Sequence, residues 1–340
     1  MRLKQLFSAS LLLSSILLKA QPYKNLVFEG AGIRGVAYVG AIKELESRSV
    51  LADIDKVGGT SAGAIAALTV TLGYASSEIE SIIYNTRLQK FNDGRYFFIG
   101  GITRLNRNYG WYQGKAFTHW LEKIIYEKTG DAEITFRELH EMNFRDLYVT
   151  GTSLNHQKLI VFSYETYPNM KVKDAVRISM SIPLYFEAIC IDSAGRVVNG
   201  RTTTGYYDIM VDGGFTGNFP ISLFDSTTTS NGYFQRDSNL ATLGLRIDSP
   251  QQIDYDTMSK GLAPIQINHF GNYISAFYNY VLENLNRTTL TQEDWKRTVS
   301  ISSGMIGARI RRLSVAEKNS LINNGQQAMK SFLDQSSVCN

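Results

Sequence analysis

The stretch Ile54-Asp55-Lys56-Val57-Gly58-Gly59-Thr60-Ser61-Ala62-Gly63 decides the fold class. Its start, Ile54–Val57, predicts a short strand. Ser61–Leu72 is apolar, rich in alanine and free of proline, which predicts a buried helix. Between them stands Gly59-x-Ser61-x-Gly63, and a serine in a strand-to-helix turn of this pattern is pushed outward with its hydroxyl at the helix amino terminus. Gly59 and Gly63 remove side chains that would clash in so tight a bend, and the helix dipole favours negative charge developing nearby. A chemically silent helix start made of small residues has the same local pattern, so the turn needs a second signal.

That signal lies one unit upstream. Asn25–Glu29 reads as a buried strand ending at Gly30-Ala31-Gly32-Ile33-Arg34-Gly35, and Gly35–Arg48 carries Val36, Val39, Ile42 and Leu45 at helical spacing. Backbone amides in such a turn point outward and, with the helix amino terminus, make an anion site from Gly30, Gly32, Ile33, Arg34 and Gly35. Alone, the string also fits a dinucleotide loop, with Asp53 or Asp55 near the spacing of a ribose-binding acid, or a plain tight turn. A hydrolysing serine needs an oxyanion site beside it. Two consecutive strand–turn–helix units place both turns on the same carboxyl edge of a sheet. A dinucleotide loop has no need of a second, exposed serine.

Histidine is the usual base for a serine, and the chain has His119, His140, His156 and His269. The first three read as surface or satisfied side chains. Ser61, Asp212 and His269 would meet the chain order of a hydrolase triad, and that alternative stays open. Asp212 is the better base. It ends the apolar run Ile209-Met210-Val211 and is followed by Gly213 and Gly214, so its carboxylate is partly desolvated and its pKa raised toward a useful range. An Asp-Gly turn at a strand end is the plain reading of the same residues.

The remaining chain is organised around these turns. Further helices are predicted over Ser76–Thr86, Gly114–Thr129 and Val315–Leu333, strands over Leu147–Leu154 and Lys158–Phe162, and loops over Arg201–Gly205 and Asp225–Asn231. Strands separated by helices imply an α/β fold with a mostly parallel sheet covered on both faces. No linker divides residues 21–340, which read as one domain. Residues 1–20 read as a leader for export to the periplasm or beyond: Arg2 and Lys4 start it, Leu6–Leu18 is its apolar run, and Ala20 precedes Gln21. Without the leader, Lys plus Arg falls from 35 to 32 against 31 acids, which gives no electrostatic case for nucleic acid. Cys190 and Cys339 make no disulfide framework, and no metal-ligand spacing is present, so neither metal nor cofactor is expected.

With these motifs in place, the chain resembles the patatin-like phospholipases. That family carries a glycine-rich oxyanion loop, a GxSxG elbow and an Asp-Gly-Gly motif in this order, matched here by Gly30–Gly35, Gly59–Gly63 and Asp212–Gly214. The resemblance continues through Gly110–Gly114 with Phe117–Glu122, Thr135–Leu139, Leu147–Leu154, Ala175–Phe186, and Asn218 with Pro220. It implies a three-layer α/β sandwich, a Ser61–Asp212 dyad without histidine, and a lipid ester as substrate. A catalytically silent lipid-binding module is the alternative if the dyad is misaligned. Two departures stand out: Ala31 replaces a glycine, and Glu29 places a carboxylate beside the anion site with no evident role. Tyr96–Ile99 with Trp111 and Tyr112 predicts an apolar site mouth. His269–Leu285 reads as a core-facing stripe of Phe270, Tyr273, Ile274, Phe277, Tyr280, Val281 and Leu285, with transient membrane-surface contact as the other reading.

Overall fold

The computed structural model describes residues 23–338, apart from 95–96, 201, 231–232 and scattered positions between 271 and 288. The leader read over residues 1–20 lies outside the described residues, as do Cys339, Tyr96, Ile274, Val281 and Leu285. Nine strands form the central sheet. They are β1 (Asn25–Phe28), β2 (Lys56–Gly59), β3 (Asp146–Ser153), β4 (Lys158–Phe162), β5 (Ile189–Ile191), β6 (Val197–Val198), β7 (Asp208–Asp212), β8 (Thr242–Asp248) and β9 (Thr298–Ser302). Their order is β9-β8-β1-β2-β3-β7-β5-β6, with β4 also paired to β3.

From β9 to β3 every pairing is parallel, whereas β4, β7, β5 and β6 join antiparallel. Every residue of β1 and β8 is buried, so both faces of the parallel half are covered, as a parallel sheet requires. The α/β architecture is therefore the one the sequence predicts. Register then fixes the site. Phe28 of β1 pairs Gly59 of β2, Gly59 pairs Val149 of β3, and Gly151, two residues on, pairs Asp212 of β7. The carboxyl ends of β1 and β2 and the end of β7 thus converge on one edge.

The predicted elements hold with shifts at their ends. Strand β2 runs to Gly59 and reaches the elbow without a loop. The helix read over Gly35–Arg48 divides into a tight 3-10 turn, Gly32–Ala37, and α1 (Tyr38–Ser47). Helix α2 (Ala62–Thr71) follows the elbow, α3 is Val172–Ser179, and α4 (Val315–Val338) closes the fold against α1. One prediction fails: within the loop read over Asp225–Asn231, Ser226–Ser230 is a strand that pairs antiparallel with Tyr233–Asp237. Its three threonines are β-branched and suit a strand once a partner is supplied. Buried apolar side chains form one continuous cluster from Leu26 to Leu333.

Candidate active site

Ser61 sits at the amino end of α2 with φ 54° and ψ −123°, a backbone region that L-residues rarely occupy. Such strain costs on the order of 1–3 kcal/mol and persists only where the surroundings enforce it. Here they do. A Cβ on Gly63 would stand 2.4 Å from the Phe28 carbonyl oxygen and 2.5 Å from that of Glu29, so β1 presses directly on the turn. The Ser61 N–H donates to Ser179 Oγ at 2.8 Å, and Ser61 Oγ lies 3.5 Å from Met180 Sδ. The end of α3 therefore braces the elbow from the other side.

Asp212 is buried at the end of β7. Its backbone is pinned by its own N–H donating to the Ser181 carbonyl at 2.9 Å and by Thr152 Oγ1 donating to its carbonyl at 2.9 Å. Its side chain accepts from the Gly214 N–H at 2.7 Å and interacts with the Ser61 hydroxyl. Burial pushes the carboxyl up from its ordinary value to about 7, against the smaller downward pull of those two hydrogen bonds. No cation takes part. A carboxylate with that affinity for protons, touching a strained hydroxyl, can act as a general base near neutral pH.

The glycine loop supplies donors, but fewer than the sequence suggests. The Gly30 amide donates to the Asn218 carbonyl at 3.0 Å, Ile33 to Ala308 at 3.0 Å, and Arg34 to Ala31 at 3.2 Å. These three predicted donors are therefore engaged, and Gly35 lies inside the 3-10 turn. Within the glycine loop and the elbow, the amides of Ala31, Gly32 and Ala62 have no acceptor among the described residues. Asn218 clamps the loop twice, its Nδ2 donating to the Gly30 carbonyl at 2.9 Å while its carbonyl receives the Gly30 amide. Ser179, Met180, Asn218 and Ala308 were not readable as site residues, because each acts through a contact across more than a hundred residues of chain or through a backbone atom.

Glu29, without a role in the sequence, enters a buried ionic cluster under the loop. Its Oε1 lies 3.2 Å from Arg246 Nη2, and its Oε2 accepts from the Ile247 N–H at 3.1 Å. Arg246 also meets Asp248 at 2.9 Å and is flanked by the rings of Phe219 and Trp295. Burial pushes Glu29 up to about 8, with Arg246 pulling it back. Arg287 extends the cluster to Asp248, Asp256 and Glu283.

All four histidines are exposed. His140 pairs Asp146, His156 meets Tyr206 and Asp208, and His269 Nδ1 accepts from the Asn272 N–H. No histidine is among the groups that act on Asp212, which removes support for the His269 triad. Asp53 and Asp55 precede β2, at the opposite end from the elbow, and Asp55 pairs Lys24. A ribose-binding acid belongs at the carboxyl end, so the dinucleotide reading fails.

An apolar cavity of about 90 Å³ opens beside the serine, lined by Gly32, Ala62, Ile65, Ala66, Met180 and Ile310 among others. A wider groove of about 940 Å³ lies on the other side of the glycine loop, lined by Arg34, Tyr273, Phe277 and Met305–Ala308 among others. The segment 303–310 contributes to both, Ser303–Ala308 to the groove and Ile310 to the cavity. Ala308 sits against Gly32, whose φ of 55° and 2.2 Å virtual Cβ approach to the Ala308 oxygen admit only glycine. The aromatic stripe predicted to face the core is instead exposed at Phe270, Tyr273, Phe277 and Tyr280.

A match to the Patatin family, patatin-like phospholipase, covers residues 26–225. The chain is 29% identical over 252 residues to the uncharacterised protein R571 of Acanthamoeba polyphaga mimivirus, covering 74% of this chain and 73% of that one. It is 32% identical to the uncharacterised protein YqhO of Bacillus subtilis over 59% of this chain and 67% of that one. It is 29% identical to the probable lipid hydrolase 463L of invertebrate iridescent virus 6 over 62% and 66%. In fold it is similar to VipD from Legionella pneumophila, with a TM-score of 0.55 at 15% identity over 93% of this chain and 67% of that one.

Proposed function

Since the chain belongs to the patatin-like phospholipase family, we propose that it hydrolyses carboxylic esters of lipids through a Ser61–Asp212 dyad. One observation carries the reading: a strained serine hydroxyl interacting with a buried, cation-free carboxyl whose pKa stands near 7. Similarity to a probable lipid hydrolase supports the substrate class.

In the first step Asp212 takes the proton of Ser61 Oγ as that oxygen attacks the ester carbonyl. The amides of Ala31, Gly32 and Ala62 receive the oxyanion, and Asn218 holds their loop in register. The alkoxide leaves with the proton from Asp212, and Ser61 carries the acyl group. Water, deprotonated by Asp212, then releases the carboxylic acid and restores the hydroxyl. The apolar cavity past Ala62 and Met180 takes the acyl chain, and its modest size sets a limit on chain length. Arg34, facing the wider groove, suits an anionic headgroup. We extend the reading to one domain over 21–340 exported behind a leader over 1–20; the amino terminus of the mature protein tests that part.

Hydrolysis of a panel of carboxylic esters tests the function. Ser61→Ala should reduce turnover by at least about 10³-fold, as expected for a lost nucleophile. Wild-type turnover in purified Ser61→Ala protein would refute it.

A further inference from the structure

A second pocket, which the reaction does not use, adjoins the apolar cavity beside Ser61. It has a volume of about 370 Å³ and is lined by Thr86, Arg87, Arg311, Arg312, Ser314 and Lys318 among others. None of its lining residues is acidic. Arg311 is neutralised by Glu317, which also receives the Ser314 amide at the start of α4. Among the described residues, Arg87, Arg312 and Lys318 have no carboxylate within ion-pair distance.

Lys318 makes the lack of an anion costly. It is buried. Its Nζ donates to the Ile83 and Tyr84 carbonyls at 2.9 and 3.4 Å and stands over the Tyr84 ring. Burial, and then the nearby Arg312, hold its ammonium below the ordinary lysine pKa. The two carbonyls belong to the last turn of the helix Ser76–Asn85, whose dipole favours a cation there. That accounts for Lys318. It does not account for two arginines added to the same pocket, because like charges gathered without an anion repel one another. Outside residues 1–20 the chain has 32 basic against 31 acidic residues, so the excess is local.

The charge tells which ligand fits. Three cations around one pocket suit an anion with more than one charge. A phosphate group brings about −1.5 to −2 charges and three acceptor oxygens, and a guanidinium meets it with two parallel hydrogen bonds. A carboxylate would leave two of the three cations unanswered. A nucleic acid would need a basic track running beyond the pocket, and the balanced charge of the remaining chain offers no case for one.

Position tells what such a ligand would touch. Leu88 lines both the pocket and the cavity beside Ser61. Ile310 lines the cavity, and Arg311, the next residue, lines the pocket. Ile83 lines the cavity while its carbonyl receives Lys318. Thr86, next to Arg87, accepts from Trp120 Nε1 at 3.0 Å, and Trp120 lines the cavity. We propose that this pocket binds a phosphate group among Arg87, Arg312 and Lys318, and so ties segment 83–88 to segment 310–313, two walls of the cavity. The site stands apart from Ser61 and Asp212 and does not depend on the ester reading.

Calorimetric titration of the full chain with sodium phosphate, in a chloride buffer of fixed ionic strength, tests it. Phosphate should bind saturably at one site. Arg87→Gln with Arg312→Gln should weaken that binding by about tenfold or more, the worth of one lost charged hydrogen bond. Both arginines are exposed, so this variant should unfold at the parental denaturant midpoint. Arg309→Gln, exposed and outside the pocket, should bind as the parent does. Saturation should also shift the emission of Trp120, read with no ester present as the difference between the parent and Trp120→Phe. Glycerol phosphate and a short-chain phosphatidic acid divide the sources of the group. Equal affinity for the two puts it in solution, a clear preference for phosphatidic acid puts it on a lipid, and either result keeps the site. Binding no tighter than that of chloride, equal affinity in the parent and the double arginine variant, or Trp120 emission that ignores phosphate would overturn the proposal.

Discussion

Two buried carboxyls flank the reaction edge, and they have opposite surroundings. Asp212 ends β7 without a cation and interacts with a hydroxyl; Glu29 directly follows β1 and lies against Arg246 in a cluster with four further charged groups, Asp248, Asp256, Glu283 and Arg287. Both are pushed up by burial, to about 7 and about 8. Burial alone therefore does not mark a base. What separates the two is the partner: a reactive hydroxyl beside one, a fixed guanidinium beside the other. The first arrangement suits the proton transfer proposed above, whereas the second ties β1 to β8 beneath the glycine loop.

The largest effect that sharpens this contrast is on activity. Asp212→Asn should lower kcat/KM by about 10²–10⁴-fold, the range for a lost general base. Glu29→Gln should change it by less than about tenfold. Comparable losses in the two variants, measured on one soluble ester, would erase the distinction.

The next effect is on stability. Arg246→Ala strands Glu29 and Asp248 without their cation and should cost about 3–5 kcal/mol in denaturant unfolding. Asp212→Asn should act the other way. The folded pKa of Asp212 lies above its ordinary 3.8, so its contribution is complete below about 3.8 and is lost as pH rises through about 7. A neutral Asn escapes that loss. The variant should gain stability over the parent between pH 5 and pH 8, by at most on the order of 4 kcal/mol. An unchanged difference between the two pH values would contradict the assignment.

Smaller, but specific, is the effect at the clamp. Asn218→Ala removes the side-chain half of the clamp, the Nδ2 bond to the Gly30 carbonyl, and keeps the backbone half; it should lower kcat by about 10-fold with little change in KM, since it loosens the loop whose donors are proposed to act in the transition state. A rise in KM alone would place Asn218 in substrate binding.

Much of this edge was legible in the sequence, because its signals are local. Gly59–Gly63 and Gly30–Gly35 announce sharp turns, and Asp212 announces a strand end. The register that brings Asp212 level with Gly151 was not legible, since it depends on an antiparallel strand joining a parallel sheet. Nor was the engagement of Ile33 by Ala308, a backbone contact between segments far apart. The stripe at Phe270–Tyr280 was misread for a simpler reason: helical spacing shows that residues share a side, not whether that side is covered.

The central claim is that Asp212 removes the proton of Ser61. Its most direct test is the rate of Ser61 phosphonylation by a fluorophosphonate, followed by mass spectrometry as a function of pH. The account predicts one adduct, on Ser61, forming along a curve that rises with a midpoint near pH 7 in the parent and is slow and flat in Asp212→Asn. An adduct elsewhere, or the same pH curve in both proteins, would contradict it.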